Sequence, residues 1–186
     1  SSPAVAGGTV FIGSQDSKFY ALDADTGAKR WEYETGSWVD SSPSIAKDVV
    51  YFGSNDGLLY ALKAQSGEKV WDFKTAFPVR SAASIAGNIV YFGADDYNLY
   101  ALDTATGKKL WDYDTGSPAV SPPVISKGIL YIGAADGYSY AFNALNGQRR
   151  LRFGSHYAVY AQPIVVDSTV YVVTTNGFLF SFDGKA

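Results

Sequence analysis

Residues 100–111 have the sequence YALDTATGKKLW, and close copies of this stretch stand at a constant interval of 40 residues along the chain. The copies are YALDADTGAKRW at 20–31 and YALKAQSGEKVW at 60–71. A fourth copy begins at Tyr140 and a fifth begins at Phe180. Because no insertion interrupts this period, the chain is built from one structural unit repeated along its length.

Each unit is predicted to contain four short strands. In the second unit these strands cover 42–46, 49–53, 58–62 and 69–73, which are rich in β-branched and aromatic residues. Between the second and third strands, Asn55-Asp56-Gly57 predicts a tight hairpin turn, because Asp-Gly suits the positive φ angles of primed turns. No stretch has a helical period of hydrophobic residues, so the chain is predicted to be all-β.

Four antiparallel strands per unit, repeated along the chain, indicate the blades of a β-propeller. The sequence predicts four full four-stranded blades and a three-stranded fifth, within a single domain that covers 1–186. The predicted units are 1–40, 41–80, 81–120, 121–160 and a partial unit at 161–186.

Composition excludes several classes of function. The 186 residues carry a net charge of −3 with scattered basic residues, which argues against a nucleic-acid partner. Cysteine is absent, so disulfides and thiolate metal sites are excluded. No apolar run approaches the roughly 20 residues that a membrane helix needs, and Ser1-Ser2-Pro3 does not have the character of a signal peptide. We therefore expect no nucleic acid and no membrane insertion.

Two propeller families with similar repeats do not fit. The WD-repeat family has a period near 40 residues, and Trp71-Asp72 resembles its dipeptide, but that family also needs a Gly-His pair upstream. The only histidine here is His156, which follows Ser155. Kelch repeats carry paired glycines in each blade, whereas Gly7-Gly8 is the only such pair in this chain.

The repeat instead matches the tryptophan-docking pattern Ala-x-Asp-x-x-Thr-Gly-Lys-x-x-Trp. The chain therefore resembles the pyrroloquinoline-quinone-type (PQQ-like) propellers, which include quinoprotein alcohol dehydrogenases and a lipoprotein of outer-membrane assembly. This resemblance covers essentially the whole sequence. In the third unit the matching residues are Ala101, Asp103, Thr106, Gly107, Lys108 and Trp111.

The resemblance implies a structural role for the repeated tryptophans. In this family the indole wedges between blades and stacks on a peptide of the neighbouring docking motif, and a buried aromatic of this size removes roughly 150–250 Å² from water. The fourth unit has Leu151 in the tryptophan position. The predicted docking residues are Trp31, Trp71, Trp111, Gly27, Gly67, Gly107 and Gly147.

The sequence alone does not decide whether the five units close into a ring. Family members usually have seven or eight blades, whereas this chain has five units and the fifth lacks its outer strand. The alternatives are a five-bladed ring with a thin last blade, an excerpt of a larger ring, and a protomer completed by another copy.

The segments that join each outer strand to the next inner strand are the candidate binding site. Their last position changes from Asp40 to Arg80, Val120 and Tyr160, as expected where function rather than packing chooses the residue. The alternative is neutral drift on exposed loops, with the aromatic residues plugging the channel. We expect these segments to surround the mouth of a central funnel, with binding residues Trp38, Asp40, Phe77, Arg80, His156, Tyr157 and Tyr160.

The sequence gives little support for catalysis. One histidine and no cysteine exclude a multi-histidine metal site and a thiol nucleophile. Aspartates in the turns, such as Asp56 and Asp23, are interpreted as caps rather than calcium ligands. The family's vicinal cysteines are missing, so its catalytic residues are not carried over, and we expect no metal and no bound PQQ or calcium.

The sequence therefore predicts a non-catalytic module that binds a protein or peptide partner at the funnel mouth. One alternative is a piece of a PQQ-dependent dehydrogenase. Another is a carbohydrate-binding propeller that uses Trp38 and Tyr160 as stacking platforms. The resemblance further implies an extracytoplasmic location.

Overall fold

The computed structural model describes residues 1–184, and these residues form strands and turns with no helix. The last two residues of the predicted fifth unit lie outside the described range. The strands form five sheets, each a simple antiparallel meander: four sheets have four strands and one has three. The all-β prediction and the predicted strand count of each unit are confirmed.

The strand bounds repeat with the period of the sequence. The first blade contains β1 (Ala4–Ala6), β2 (Thr9–Gly13), β3 (Lys18–Asp23) and β4 (Lys29–Glu34). The second contains β5 (Ser44–Ala46), β6 (Val49–Gly53), β7 (Leu58–Lys63) and β8 (Lys69–Lys74). The third contains β9 (Ser84–Ala86), β10 (Ile89–Gly93), β11 (Asn98–Asp103) and β12 (Lys109–Asp114). The fourth contains β13 (Val124–Ser126), β14 (Ile129–Gly133), β15 (Tyr138–Asn143) and β16 (Arg149–Gly154), and the fifth contains β17 (Ile164–Val166), β18 (Thr169–Val173) and β19 (Leu179–Asp183).

The inner strand of the second blade is shorter than predicted, because it begins at Ser44 instead of residue 42. Pro43 has no N–H to donate to a strand ladder. Ser41 is also engaged elsewhere, since its hydroxyl accepts a hydrogen bond from the Gly53 N–H at 2.7 Å. The residues that precede Ser44 therefore anchor the connection instead of extending the strand.

The hairpin turn after β6 is not a primed turn. Of its three residues only Gly57 has a positive φ, at 82°, whereas a type I′ turn needs two such residues. The Ser54 N–H donates to the Leu58 carbonyl at 3.0 Å, which closes a three-residue loop. Asp-Gly is favoured here because glycine supplies the single left-handed position that this loop requires.

The hydrophobic core lies between successive blades. The inner strands β1, β5, β9, β13 and β17 lie next to one another in chain order. Each of the three central blades has a forward face that packs on the next blade and a backward face that packs on the preceding one. Between the first two blades, for example, the rings of Phe19 and Phe52 stack in parallel with centroids 3.8 Å apart.

The tryptophans of the first three outer strands, β4, β8 and β12, each join their blade to the next. The Trp71 indole N–H donates to the Thr104 carbonyl at 2.9 Å, and its ring lies on Gly107, where a Cβ would be 2.8 Å from a ring carbon. Gly107 has a φ of 68°. Only glycine combines this backbone conformation with such a close approach. The same contacts join Trp31 to Ala64 and Gly67, and Trp111 to Ala144 and Gly147.

The turn aspartates form a second contact between blades. Asp56 caps its own turn, because its Oδ1 accepts the Leu58 N–H at 2.9 Å. Its Oδ2 accepts both the Tyr60 hydroxyl at 2.8 Å and the Gly36 N–H of the preceding blade at 2.8 Å. Burial and this hydrogen bond raise the pKa of Tyr60. The oxygens of Asp56 thus hydrogen-bond within the protein, as the capping interpretation expects.

The fifth blade packs on the fourth without an indole. Leu151 occupies the tryptophan position and, like Phe182, lies partly buried against a cluster that includes Val170. The Phe153 and Phe182 rings stack with centroids 4.7 Å apart. The Tyr131 hydroxyl donates to the Gly184 carbonyl at 3.0 Å. Aliphatic and phenyl contacts therefore replace the indole at this junction.

Truncation of a docking tryptophan should destabilise the protein. Trp71 is 8% exposed, so Trp71→Ala should lower the free energy of unfolding by about 3 to 5 kcal/mol, because it leaves a large cavity between two blades. Trp71→Phe should cost about 1 to 2 kcal/mol, since a ring remains but the N–H donor is lost. Urea unfolding followed by circular dichroism measures both.

Trp38→Ala is the matched control. The Trp38 side chain is 50% exposed, so its removal should change the unfolding free energy by less than about 0.5 kcal/mol. Equal effects of Trp71→Ala and Trp38→Ala would show that the indole does not fasten the second blade to the third.

Candidate functional site

The candidate site lies at the end of the sheets where each outer strand leads into the next inner strand. We call this surface the rim; it consists of the outer-to-inner connections and the β2–β3, β6–β7, β10–β11, β14–β15 and β18–β19 turns. Each connection is held between two turns. The Val79 N–H donates to Ser54 of its own blade at 3.0 Å, and the Pro78 carbonyl accepts the Asp95 N–H of the next blade at 3.0 Å.

Close packing fixes the path of each connection. Gly53 allows the Val79 backbone to pass, since a Cβ at Gly53 would lie 2.3 Å from the Val79 carbonyl oxygen. The Thr75 hydroxyl lies between two carbonyl oxygens that share its single O–H donor, that of Gly57 at 2.8 Å and that of Phe77 at 2.6 Å. The neighbouring side chains that project from the connection are therefore held on an ordered backbone.

A groove with a cavity volume of about 550 Å³ lies on the rim across the second, third and fourth blades. Three of the predicted binding residues line it: Phe77, Arg80 and Tyr160. The aromatic side chains are open to solvent, with Phe77 at 59% and Tyr160 at 54% exposure. The complete lining is Phe77, Arg80, Asp95, Tyr97, Pro118, Val120, Ala135 and Tyr160.

An ion pair lies in the wall of this groove. Arg80 Nη1 is 2.5 Å from Asp95 Oδ2, and the Asp95 side chain is only 16% exposed. Burial raises the pKa of Asp95, and the Arg80 guanidinium opposes that shift. Arg80 thus stabilises a carboxylate that its surroundings disfavour, while its own side chain is 54% exposed.

Trp38 and Asp40 lie on another part of the rim and do not line the groove. Asp40 bridges two blades: its carboxylate accepts Gln15 Nε2 at 3.1 Å and Asn55 Nδ2 at 2.8 Å. The Trp38 carbonyl accepts the Asn55 N–H at 2.8 Å, while its indole is half-exposed. This part of the rim is polar, in contrast to the groove.

His156 and Tyr157 also lie outside the groove lining. His156 adopts a left-handed backbone conformation with a φ of 63°. The backbone at Tyr157 passes close to Gly137, where a Cβ would be 2.7 Å from the Tyr157 nitrogen. Both side chains are exposed. The structure therefore brings together three of the seven predicted binding residues.

Sequence reasoning missed the groove residues that come from the turns. Asp95, Tyr97 and Ala135 lie in the β10–β11 and β14–β15 turns, whereas the prediction considered only the outer-to-inner connections. A signal was present, because the position of Asp95 also varies between units. It is occupied by Gln15, Asn55, Asp95, Ala135 and Thr175.

Residues 1–184 contain no group of three His, Cys, Asp or Glu side chains that could hold a metal ion. Within the same range there is no helix of the length and hydrophobicity needed to cross a membrane.

Comparison with known proteins identifies the family. The sequence model of the family described as outer membrane protein assembly factor BamB, of the PQQ-type repeat class, matches residues 1–186. The chain belongs to this family. The resemblance inferred from the docking pattern is thereby confirmed. A comparison with curated protein sequences found no significant match.

Several solved structures share the fold of this chain. BamB from Moraxella catarrhalis superposes with a TM-score of 0.83 at 26% identity, over 96% of this chain and 55% of that one. The computationally designed Ika8 protein gives 0.86 at 22% identity, over 97% and 57%. A quinohemoprotein alcohol dehydrogenase from Comamonas testosteroni gives 0.84 at 17% identity, over 98% and 41%. This BamB-like chain thus spans little more than half the length of the first two proteins.

Removal of Arg80 should make stability more dependent on pH. Burial raises the pKa of Asp95 in the folded protein above its value in the unfolded chain. As pH rises from the unfolded pKa through the folded pKa, ionisation of Asp95 therefore lowers the stability of the folded protein. In Arg80→Ala the pKa of Asp95 should rise further. The loss of stability should then be small near pH 3 and grow towards pH 7, as followed by urea unfolding and by NMR titration of the Asp95 carboxyl carbon.

Lys63→Ala is the control for this prediction. Lys63 pairs with Glu68 at a site where both side chains are more than half exposed, so its removal should change stability by less than about 1 kcal/mol with little dependence on pH. If Arg80→Ala lowers the pKa of Asp95 or leaves it unchanged, Arg80 does not stabilise that carboxylate.

Proposed function

We propose that this chain is a non-catalytic propeller module that binds a protein or peptide partner in the rim groove. The observation that carries the proposal is that exposed aromatic side chains from two different blades, Phe77 and Tyr160, line one groove. Its lining positions are occupied by different residues from one repeat to the next, while the contacts between blades recur.

The groove has the chemistry of an anchor pocket for an apolar side chain. Two aromatic residues, Phe77 and Tyr97, are 59% and 48% exposed beside Pro118 and Val120. Flat aromatic surface loses little conformational entropy on binding, and residues of this kind dominate the energy of protein interfaces. A bulky apolar side chain of a partner would displace water from this surface at little cost in polar desolvation.

The ion pair gives the groove an oriented polar group. Arg80 donates a hydrogen bond from Nη1 to the Asp95 carboxylate, and its guanidinium has further N–H donors. A peptide carbonyl or a carboxylate of the partner would be the complementary acceptor. Because Asp95 fixes the guanidinium, this contact would set the direction of the bound segment.

The two alternatives have weaker support. The likeness to the Comamonas testosteroni dehydrogenase, at 17% identity, bears on the fold alone. The carbohydrate hypothesis paired Trp38 with Tyr160, but only Tyr160 lines the groove. A peptide site is therefore favoured over both.

The family supports an extracytoplasmic location, since its description names an outer-membrane assembly factor. The module would act there without nucleic acid and without insertion into the membrane. Its partner would be a polypeptide that presents an apolar anchor.

Two substitutions test the proposed groove. Peptides selected from a displayed random library against the purified chain should bind at least about ten-fold more weakly to Phe77→Ala and to Tyr160→Ala, the loss expected when a central aromatic anchor worth about 1.4 kcal/mol is removed. Isothermal titration calorimetry measures the affinities. Trp38→Ala, which removes a similarly exposed aromatic residue outside the groove, should bind as the unmodified chain does.

The proposal fails if the selected peptides bind both groove variants with unchanged affinity. It also fails if Trp38→Ala is the variant that abolishes binding, because the site would then lie on the polar part of the rim.

A further inference from the structure

The outer strand of the fourth blade is more basic than those of the first three blades. β16 contains Arg149, Arg150 and Arg152 and no acidic residue, whereas β4, β8 and β12 each contain both acidic and basic residues. Residues 121–160, the fourth unit, hold four lysine or arginine residues and one aspartate. This unit therefore carries a net charge of +3 in a chain whose net charge is −3.

The repeat shows which group the fourth blade lacks. In the first three blades, a lysine of the outer strand pairs with an acidic residue three positions later, at N–O distances of 2.6–2.8 Å. The pairs are Lys29–Glu32, Lys69–Asp72 and Lys109–Asp112. In the fourth blade both positions hold arginine, Arg149 and Arg152, and within residues 1–184 neither forms an ion pair with a carboxylate. Two cations thus occupy the positions at which the other blades have a cation and an oxyanion.

The strand register places both arginines on one face of the fourth sheet. Arg152 is opposite Tyr140, and a β-bulge brings Arg149 opposite Phe142. Because opposite residues share a face, and residues two apart on a strand do so too, both arginines lie on the face that presents Tyr140 and Phe142. This face packs against the third blade, where Tyr113 contacts both of these rings. The two arginines therefore lie at the junction between the third and fourth blades.

Aromatic rings support both guanidinium groups. Arg152 Cζ is 3.5 Å from the centroid of the Tyr138 ring. Arg149 Nη1 donates to the Tyr113 hydroxyl at 2.6 Å, and Arg149 Cζ is 5.8 Å from the centroid of that ring. A guanidinium that stacks on a ring keeps the N–H donors at its edge available. The two side chains are thus positioned before a ligand arrives.

Arg149 and Arg152 line one cavity of about 260 Å³, together with Tyr140 and the start of the connection that follows β12. Asp114 is the one carboxylate among its lining residues, and Asp114 Oδ1 already accepts the Gly116 N–H at 2.7 Å. The volume suits one small group rather than a large ligand. No lining residue is shared with the rim groove, so the two sites are separate.

We propose that this cavity binds a phosphate group between Arg149 and Arg152. A phosphate group carries a charge of about −1.5 to −2 at pH 7, which matches two guanidiniums, and the planar N–H fork of arginine fits phosphate oxygens. A carboxylate is the poorer ligand, because its single charge leaves one guanidinium uncompensated. A bound phosphate also offsets the repulsion between two like charges on one sheet face. Inorganic phosphate and a phosphate ester share this chemistry, and a titration with each separates them.

The test is titration of inorganic phosphate, glycerol 3-phosphate and acetate into the ¹⁵N-labelled chain at about pH 8 and constant ionic strength. The side-chain Nε–H signals of Arg149 and Arg152 should shift saturably with phosphate or its ester, and acetate should bind at least about ten-fold more weakly. At least about ten-fold tighter binding of glycerol 3-phosphate than of phosphate supports a phosphate carried by a larger molecule. Equal or weaker binding of the ester supports the free ion.

Arg152→Glu should weaken phosphate binding at least about ten-fold while the blade still folds. The substitution gives the fourth blade the basic–acidic pair that the first blade has in Lys29–Glu32, so a carboxylate takes the place of the phosphate. Arg150→Glu is the matched control, because it changes the net charge by the same amount on the same strand, but Arg150 does not line the cavity. This variant should bind phosphate nearly as the unmodified chain does, since salt screens charges outside the site. Circular dichroism checks that both variants are folded.

Three results would overturn the proposal. One is the absence of a saturable shift at Arg149 and Arg152 with both phosphate compounds. Another is acetate binding as tight as phosphate binding, because the ligand would then be a carboxylate. The third is an equal loss of binding in Arg152→Glu and Arg150→Glu, or no loss in either, because the cavity would then not be the site. None of these results depends on the rim groove, and Phe77→Ala should bind phosphate as the unmodified chain does.

Discussion

The structure depends on the seating of an indole on a glycine of the neighbouring blade. Each sheet by itself has two apolar faces, and neither can be buried without another sheet. The contact of Trp71 with Gly107 and the Thr104 carbonyl aligns the second and third blades while Phe92 and Leu102 are removed from water. A hydrogen bond sets the orientation here, and apolar burial provides most of the free energy.

The same constraint explains where the protein is free to vary. Apart from Leu151 at the last junction, the contacts between blades keep an indole, a left-handed glycine and a capping aspartate, because each contact has little room for another residue. At the rim, packing constrains the path of the backbone but not the side chains, so the side chains can differ between units. Phe77, Arg80 and Tyr160 therefore line a groove with side chains that differ from those at the same positions of other units, on a scaffold that is almost the same at every junction.

The period of 40 residues was sufficient to predict the strands, because every unit repeats the same alternation and turn residues. The type of the β6–β7 turn was not predictable from Asp56-Gly57 alone. This dipeptide suits a type I′ turn, which has two positive φ angles, and also a three-residue loop with one, as observed at Gly57. The groove was only partly predictable. Its turn residues Asp95 and Tyr97 meet Arg80 across two blades, and a pattern within one connection does not show which turn of the next blade lies beside it.

Leu151 in place of tryptophan has a consequence for how the chain unfolds. Within residues 1–184 each inner strand packs against the inner strands of its neighbours along the chain, so cooperativity should pass from one interface to the next as in a linear array. The junction without an indole is the weakest link in such an array. Local opening should therefore start with the detachment of the fifth sheet, and its amide hydrogens should exchange with solvent well before those of the central three sheets.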